Sequence, residues 1–337
     1  DVTFENGDVT LAGTLTLPEG DGPFPAVVLV TGSGGQDRDE SIAPVSEIKP
    51  FRLIADHLTR NGFAVLRYDD RGIAQSTGDY ASATTADFAT DAAAAVGYLL
   101  SRDEINPDQV GVLGHSEGGL VTAMLGAANE DVAFLISFAG TAVSGKNLLM
   151  TQSEAVLRTN GASQEQIELQ LDFLNQAFDL LEVNDTEAFE TLVRDVLRQN
   201  YELMSDEERA AYENADAYID QNARAVLIQM TSAWYRFFIS YNPADDWAKT
   251  TVPVLAIFGE KDMQVDAVQN APALEAALQA AGNEDVTVVT IPGMNHLGQA
   301  ADTGSVEEYA TLKPEFTPEL METITAWLLE RVDAAGE

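Results

Sequence analysis

The chain has 337 residues, 45% of them apolar and 22% charged, enough to bury a sizeable core and too apolar for wholesale disorder. Its 55 acidic against 18 basic side chains leave a net charge of −37, which repels phosphate backbones and anionic lipid and argues against nucleic-acid and membrane-surface binding. The absence of cysteine excludes disulfide scaffolds, thiol nucleophiles and thiolate-bound metals.

The first elements are short strands. Asp1–Phe4 and Val9–Leu17 flank an Asn6-Gly7 pair, a strong hairpin signal. Pro25–Thr31 is a continuous apolar run, as expected of a parallel strand buried on both faces, and it ends in the Gly-rich Thr31-Gly32-Ser33-Gly34-Gly35. Strands and helices then alternate. Ser46–Arg60 is amphipathic and predicts a helix stopped by Asn61-Gly62, followed by strand Phe63–Tyr68. Helix Thr85–Ser101, strand Val110–Gly114, helix Glu117–Ala128 and strand Val132–Ala139 come next.

From Gly145 to Tyr241 no strand pattern appears. Ile167, Leu171, Leu174, Phe178 and Leu181 recur at helical spacing, as do Phe189, Val193, Val196 and Leu197. Residues 145–241 therefore read as an all-helical lid inserted after the sixth strand, within a core of 1–144 and 242–337. The core resumes with strand Val252–Phe258, helix Ala267–Ala281, strand Val286–Ile291 and helix Pro318–Val332. This order predicts an α/β fold: a mostly parallel, doubly wound sheet of about eight strands with an antiparallel hairpin at its N-terminal edge. No apolar run approaches the ~20 residues of a membrane span, so no membrane insertion is expected. The chain shows no signal-peptide pattern and opens at Asp1 without methionine, which fits a cytoplasmic chain and a secreted or periplasmic mature form equally.

The chemistry gathers at the strand ends. Gly114-His115-Ser116-Glu117-Gly118 fits G-x-S-x-G between an apolar strand and a helix, the setting of a strained turn that lifts a serine hydroxyl above a sheet. A nucleophilic serine needs a base, and the only histidines are His57, His115 and His296. His57 lies inside a helix pattern, and His115 adjoins the serine, where it is expected to pack beside the site. His296, in the loop after the last strand, is the candidate base. Asp262, after strand Val252–Phe258, is the candidate orienting carboxylate, with Glu260 and Asp266 as rivals. Oxyanion donors are expected from the backbone N–H of Glu117 and of Ser33, with Gly34 as the alternative to Ser33. A phosphate loop at Thr31–Gly35 is disfavoured because no G-K-[ST] follows. Trp234, Phe237 and Phe238, with His115, are candidate pocket residues. No metal or organic cofactor is called for by this chemistry.

On Thr31–Asp39, Tyr68-Asp69-Asp70-Arg71-Gly72, Gly114–Gly119, Gly259-Glu260-Lys261-Asp262 and Pro292-Gly293-Met294-Asn295-His296, the chain resembles the α/β-hydrolase superfamily. In particular it looks like bacterial carboxylesterases of the serine-aminopeptidase-like branch that carry a helical lid. The resemblance covers nearly the whole chain and implies the α/β-hydrolase fold and a Ser116-Asp262-His296 triad. Gly35 stands where relatives usually have proline, and Ala74 replaces the second glycine of R-G-x-G-x-S. Asp37-Arg38-Asp39 and Asp69-Asp70-Arg71 are expected to brace loops.

The expected function is hydrolysis of short- to medium-chain carboxylic esters, small-molecule substrates, through an acyl-enzyme. A serine aminopeptidase or amidase of the same fold is the alternative, and a non-catalytic binding module is a distant third. A monomer and a homodimer are equally compatible with the sequence. Lysine is confined to Lys49, Lys146, Lys249, Lys261 and Lys313, and this Lys-poor, acid-rich surface predicts salt tolerance, with a solubility surface of a mesophile or cold-water protein as the alternative.

Overall fold

The computed structural model describes residues 1–128 and 131–331, so Val332 of the last expected helix lies outside the described residues. Two compact units make up the chain: Asp1–Ser144 with Asn242–Glu337, and Gly145–Tyr241.

The first unit opens with strands β1 (Val2–Asn6) and β2 (Val9–Thr16), whose two-residue turn places Gly7 at φ 59°. Then follow β3 (Phe24–Val30), α1 (Pro50–Arg60), β4 (Ala64–Tyr68), α2 (Thr85–Leu100), β5 (Ile105–His115), α3 (Glu117–Ala128) and β6 (Phe134–Phe138). The helix expected from Ser46 begins only at Pro50. Proline fixes a helical φ for the first turn but pushes the residue before it out of helical space, so Lys49 stays outside.

The second unit is helical throughout: α4 (Gly145–Thr159), α5 (Gln164–Glu182), α6 (Thr186–Leu203), α7 (Asp206–Arg209), α8 (Ala215–Met230) and α9 (Ala233–Ser240). Its interior holds Ile167, Leu174, Phe178, Leu181, Phe189, Val193, Ile219 and Phe238. Ser163 and Ser205 cap α5 and α7 with reciprocal capping boxes.

The chain re-enters the first unit through α10 (Ala244–Trp247), β7 (Val254–Gly259), α11 (Ala267–Ala280), β8 (Val286–Ile291) and α12 (Pro318–Arg331), with a 3-10 turn at Val306–Thr311. The eight strands form one sheet in the order β1-β2-β4-β3-β5-β6-β7-β8. β1 pairs antiparallel with β2 and β2 antiparallel with β4 at one edge, and the five remaining pairings are parallel. Helices α1 and α12 bury Phe51, Ile54, Leu58, Leu320, Ile324 and Leu328 against one face. Helices α2, α3, α10 and α11 pack in succession along the other. All seven residues of β3 are buried, as a strand covered on both faces requires. Parallel strands end on the same edge, so the loops after β3, β5, β7 and β8 leave the sheet together. This is the α/β-hydrolase fold.

Candidate active site

Strand β5 runs into α3 with one residue between them. That residue, Ser116, is held at φ 54°, a left-handed conformation that costs a side-chain-bearing residue about 1–3 kcal/mol and persists only where the surroundings impose it. The imposing contacts are visible. Ser116 N–H donates to the Phe138 carbonyl and the Ser116 carbonyl accepts from Gly119 N–H, both at 2.9 Å. A side chain on Gly114 would collide with the Gly118 carbonyl, and one on Gly118 with the Val30 carbonyl. The two glycines of the motif are therefore required by close backbone approach.

Asp262 and His296 come from the next two loops of the same edge. Nδ1 of His296 lies 2.8 Å from Oδ2 of Asp262, and both side chains are buried. Lys261 N–H donates to the Met294 carbonyl at 2.9 Å, which ties the two loops together. The rival carboxylates are engaged elsewhere: Glu260 accepts from Gly293 N–H, and Asp266 caps α11 through Val268 N–H. His57 sits in α1 with Nε2 at 2.8 Å from the Thr325 hydroxyl.

Ser116, His296 and His115 share a cavity of about 200 Å³ with Gly32, Ser33, Gln36 and Glu40. Ile42, Val45, Leu297 and Val306 give it an apolar rim, and Gln264 and Tyr309 close one wall through a 3.2 Å hydrogen bond. Trp234, Phe237 and Phe238 belong to α9 in the second unit, where Trp234 stacks on Phe238 and Phe237 on Tyr241.

The Gly-rich loop after β3 is braced from below. Asp70 accepts from the Thr31 hydroxyl and the Gln36 N–H at 2.8 Å each. Arg38 grips Asp69 through two side-chain nitrogens and its own backbone N–H. Asp69 stays below the usual carboxylate range: burial pushes its pKa up, and the Arg38 hydrogen bonds outweigh that. Arg71 reaches across to α2, where its Nε and one terminal nitrogen donate to the two carboxylate oxygens of Asp91. A Cβ on Gly35 would lie 2.5 Å from the Ile73 side chain, so Ile73 occupies the space a proline ring would need there. Ala74 takes φ 48°, the backbone conformation suited to the glycine it replaces.

Glu40 belongs to no sequence motif that marks it as part of the site. It is buried, sits at φ 56°, and its Oε1 accepts from Gly32 N–H at 2.9 Å while lying 2.8 Å from Nδ1 of His115. The available signal was chemical: a histidine buried beside a serine elbow needs a polar partner. Among the described residues, no group of three or more His, Asp or Glu side chains is arranged to hold a metal ion, and no helix is long and apolar enough to cross a membrane.

The chain is 26% identical over 331 residues to esterase EstD of Thermotoga maritima, covering 97% of this chain and 68% of that protein. Its fold superposes on the Pyrococcus furiosus esterase Pf2001 with a TM-score of 0.57 at 15% identity, covering 98% of this chain and 90% of that one. It also superposes on Est1E of Butyrivibrio proteoclasticus, solved with bound ferulic acid, with a TM-score of 0.54 at 17% identity, covering 98% and 99% of the two chains. Residues 46–298, which run from the approach to α1 through the base loop, match the family model for serine aminopeptidase, S33, and the chain belongs to that family of α/β-hydrolases.

Proposed function

We propose that the chain is a serine carboxylesterase that hydrolyses short- to medium-chain carboxylic esters through Ser116, His296 and Asp262. The coarser statement, an esterase-type α/β-hydrolase, draws support from the esterases among its relatives. The observation that carries the finer one is the buried His296–Asp262 pair opening onto the cavity that holds the strained Ser116.

In this reading His296 Nε2 takes the Ser116 proton as Oγ attacks the ester carbonyl carbon. Asp262 holds the tautomer and offsets the charge that the ring acquires. The tetrahedral oxygen is received by the N–H groups of Ser33 and Glu117, each worth about 2.7–4 kcal/mol of barrier. Gly32 N–H donates to Glu40, which leaves Ser33, with Gly34 as the alternative, to supply the donor of that loop. Collapse returns the proton to the leaving alkoxide and leaves an acyl group on Ser116. Water, deprotonated by the same imidazole, releases the acid. A cavity of about 200 Å³ with an apolar rim suits a short acyl chain. The lid reading of residues 145–241 belongs to the same proposal.

The family description gives the aminopeptidase reading its weight. An exopeptidase needs a carboxylate for the substrate's ammonium group. Among the described residues lining the cavity, Glu40 supplies the only carboxylate; its Oε1 is taken by Gly32 and His115, and its Oε2 is buried away from the cavity space. That favours the esterase. Nitrophenyl esters from C2 to C16 and aminoacyl nitroanilides, assayed in parallel with wild type and Ser116→Ala, test the proposal. Turnover of short esters that vanishes in the variant is expected. Retained turnover in Ser116→Ala, or preference for the anilides, overturns it.

A further inference from the structure

Both nitrogens of the His115 ring face oxygen. Nδ1 lies 2.8 Å from Glu40 Oε1, and Nε2 lies 2.9 Å from the carbonyl oxygen of His296. A backbone carbonyl only accepts, and so does an ionised carboxylate. A neutral imidazole has one proton and satisfies one of the two; a ring with a proton on each nitrogen satisfies both. His115 is 3% exposed, and its ring packs against those of Phe138 and His296 at centroid distances of 4.7 and 4.9 Å.

The carboxylate end is equally fixed. Oε1 of Glu40 also receives Gly32 N–H, and Glu40 is held at φ 56° to reach it. A Cβ built on Gly32 would lie 3.2 Å from Ser116 Cβ, 3.5 Å from Glu40 Oε1 and 3.6 Å from His115 Nδ1. Serine, carboxylate and imidazole therefore crowd around one point of the Gly-rich loop.

We propose that Glu40 and His115 are a buried carboxylate–imidazolium pair that clips the Gly-rich loop to the base loop and cancels the Glu40 charge beside the nucleophile. The inference rests on the reading of Ser116 as nucleophile and His296 as base. Each end has a separate task. Glu40 fixes the Gly32 peptide next to the Ser33 amide, and His115 holds the main chain of His296. An unbalanced carboxylate at this distance from Ser116 would oppose the oxyanion; the imidazolium removes that opposition. His115 is thus a positioning residue that keeps its charge through the cycle.

The charged and titratable groups facing the ring are Glu40 after β3, Asp262 after β7 and His296 after β8. Burial works against a charged His115. The charge and hydrogen bond of Glu40, the His296 carbonyl and the Asp262 charge outweigh it, and the pKa is raised.

The chain's three histidines make this measurable by ¹⁵N spectroscopy of the imidazoles, with His57→Gln and His296→Asn assigning the rings by elimination. The expected result is a His115 ring doubly protonated at pH 7. In Glu40→Gln the carboxamide oxygen takes the place of Oε1 and accepts from Gly32 N–H and from Nδ1–H, but it brings no negative charge to hold a second proton on the ring, which becomes neutral. The doubly protonated signature should then disappear at pH 7. kcat should fall about 10- to 100-fold, the usual effect of a group that orients a reacting residue at one remove, with KM within about twofold. Glu40→Asp should restore the signature and part of kcat. A singly protonated His115 in the wild-type protein at pH 7, or full kcat in Glu40→Gln, overturns the proposal. The ring is read without substrate, so its failure is distinct from failure of the triad, which Ser116→Ala reports separately.

Discussion

Asp262 gives one carboxylate oxygen to His296 and the other to its own loop. Oδ2 lies 2.8 Å from His296 Nδ1, while Oδ1 accepts from the N–H groups of Gln264 and Val265, each at 2.8 Å. A carboxylate anchored on both oxygens cannot swing, so it sets the plane of the imidazole as well as its tautomer. With the proton fixed on Nδ1, Nε2 is left as an acceptor, the state a general base requires.

Replacing Asp262 with Asn separates that function from shape. The amide oxygen keeps Gln264 and Val265, but its NH2 donates to Nδ1 and forces the proton onto Nε2. kcat should fall by about 10⁴-fold with the fold intact, as expected when a serine hydrolase is given the wrong tautomer. Glu260→Gln and Asp266→Asn, whose carboxylates serve a loop and a helix cap, should stay within about threefold. Steady-state kinetics on a nitrophenyl acetate checks all three; a loss below about tenfold in the Asp262 variant would release it from the role.

Ala74 offers a change in stability at no cost in chemistry. At φ 48° it pays about 1 kcal/mol that glycine would not. The turn it occupies delivers the Ser76 hydroxyl to the Asp69 carbonyl at 2.7 Å and receives Ala12 N–H at 2.9 Å. Ala74→Gly should raise the melting temperature by about 1–3 °C with unchanged kcat. A lower melting temperature would mean that the methyl group contributes packing worth more than the strain it causes.

What could be read beforehand follows from how local each signal was. The apolar run of β3 announces a strand covered on both faces. Gly114 and Gly118 announce the elbow because backbone contact within a few residues demands them. His296 was reachable by elimination among three histidines. Glu40 was not, because its meaning depends on His115, 75 residues away. The 3-10 segment Val306–Thr311, which brings Tyr309 to the cavity wall, is illegible for another reason: two tight turns are too short to show a hydrophobic period. At α1 the amphipathic spacing runs back to Ser46, but Pro50 marks the first turn and overrides it.

Asp70 predicts the direction of the pH dependence of stability. Buried under the Gly-rich loop, its carboxyl is pushed up to about 8 by desolvation, with the Glu117 and Glu40 charges adding, against the hydrogen bonds from Gln36 and Thr31. Unfolded, it titrates near 3.8. Between those values the folded chain holds a proton that the unfolded chain has released, so this group's contribution falls as pH rises, by at most about 1.4 kcal/mol per unit, and levels off above 8. In Asp70→Asn the amide oxygen can accept from Gln36 while its NH2 donates to Thr31. The variant should therefore gain on wild type progressively from pH 5 to 8 in melting experiments. Parallel curves for the two proteins would show that Asp70 is ionised in the folded state.

Salt should stabilise this protein. A net charge of −37 leaves most carboxylates without a cation, and some of the few cations are shared: Lys146 lies 3.5 Å from Asp179 and 3.3 Å from Glu182, and Arg194 lies 2.8 Å from Glu190 and 2.7 Å from Asp220. The remaining negative charges repel across the surface. Screening shortens the reach of that repulsion from about 10 Å at 0.1 M to about 3 Å at 1 M salt, and the compact state, where the charges are closest, benefits most. Melting temperature should climb between 0.1 and 2 M NaCl at pH 8, far outweighing any loss of exposed ion pairs, which are worth at most about 1 kcal/mol each. The gain should shrink at pH 4.5, where many exposed carboxylates are protonated and less repulsion is left to screen. A gain as large at pH 4.5 as at pH 8 would assign the effect to exclusion of salt from the protein surface rather than to charge.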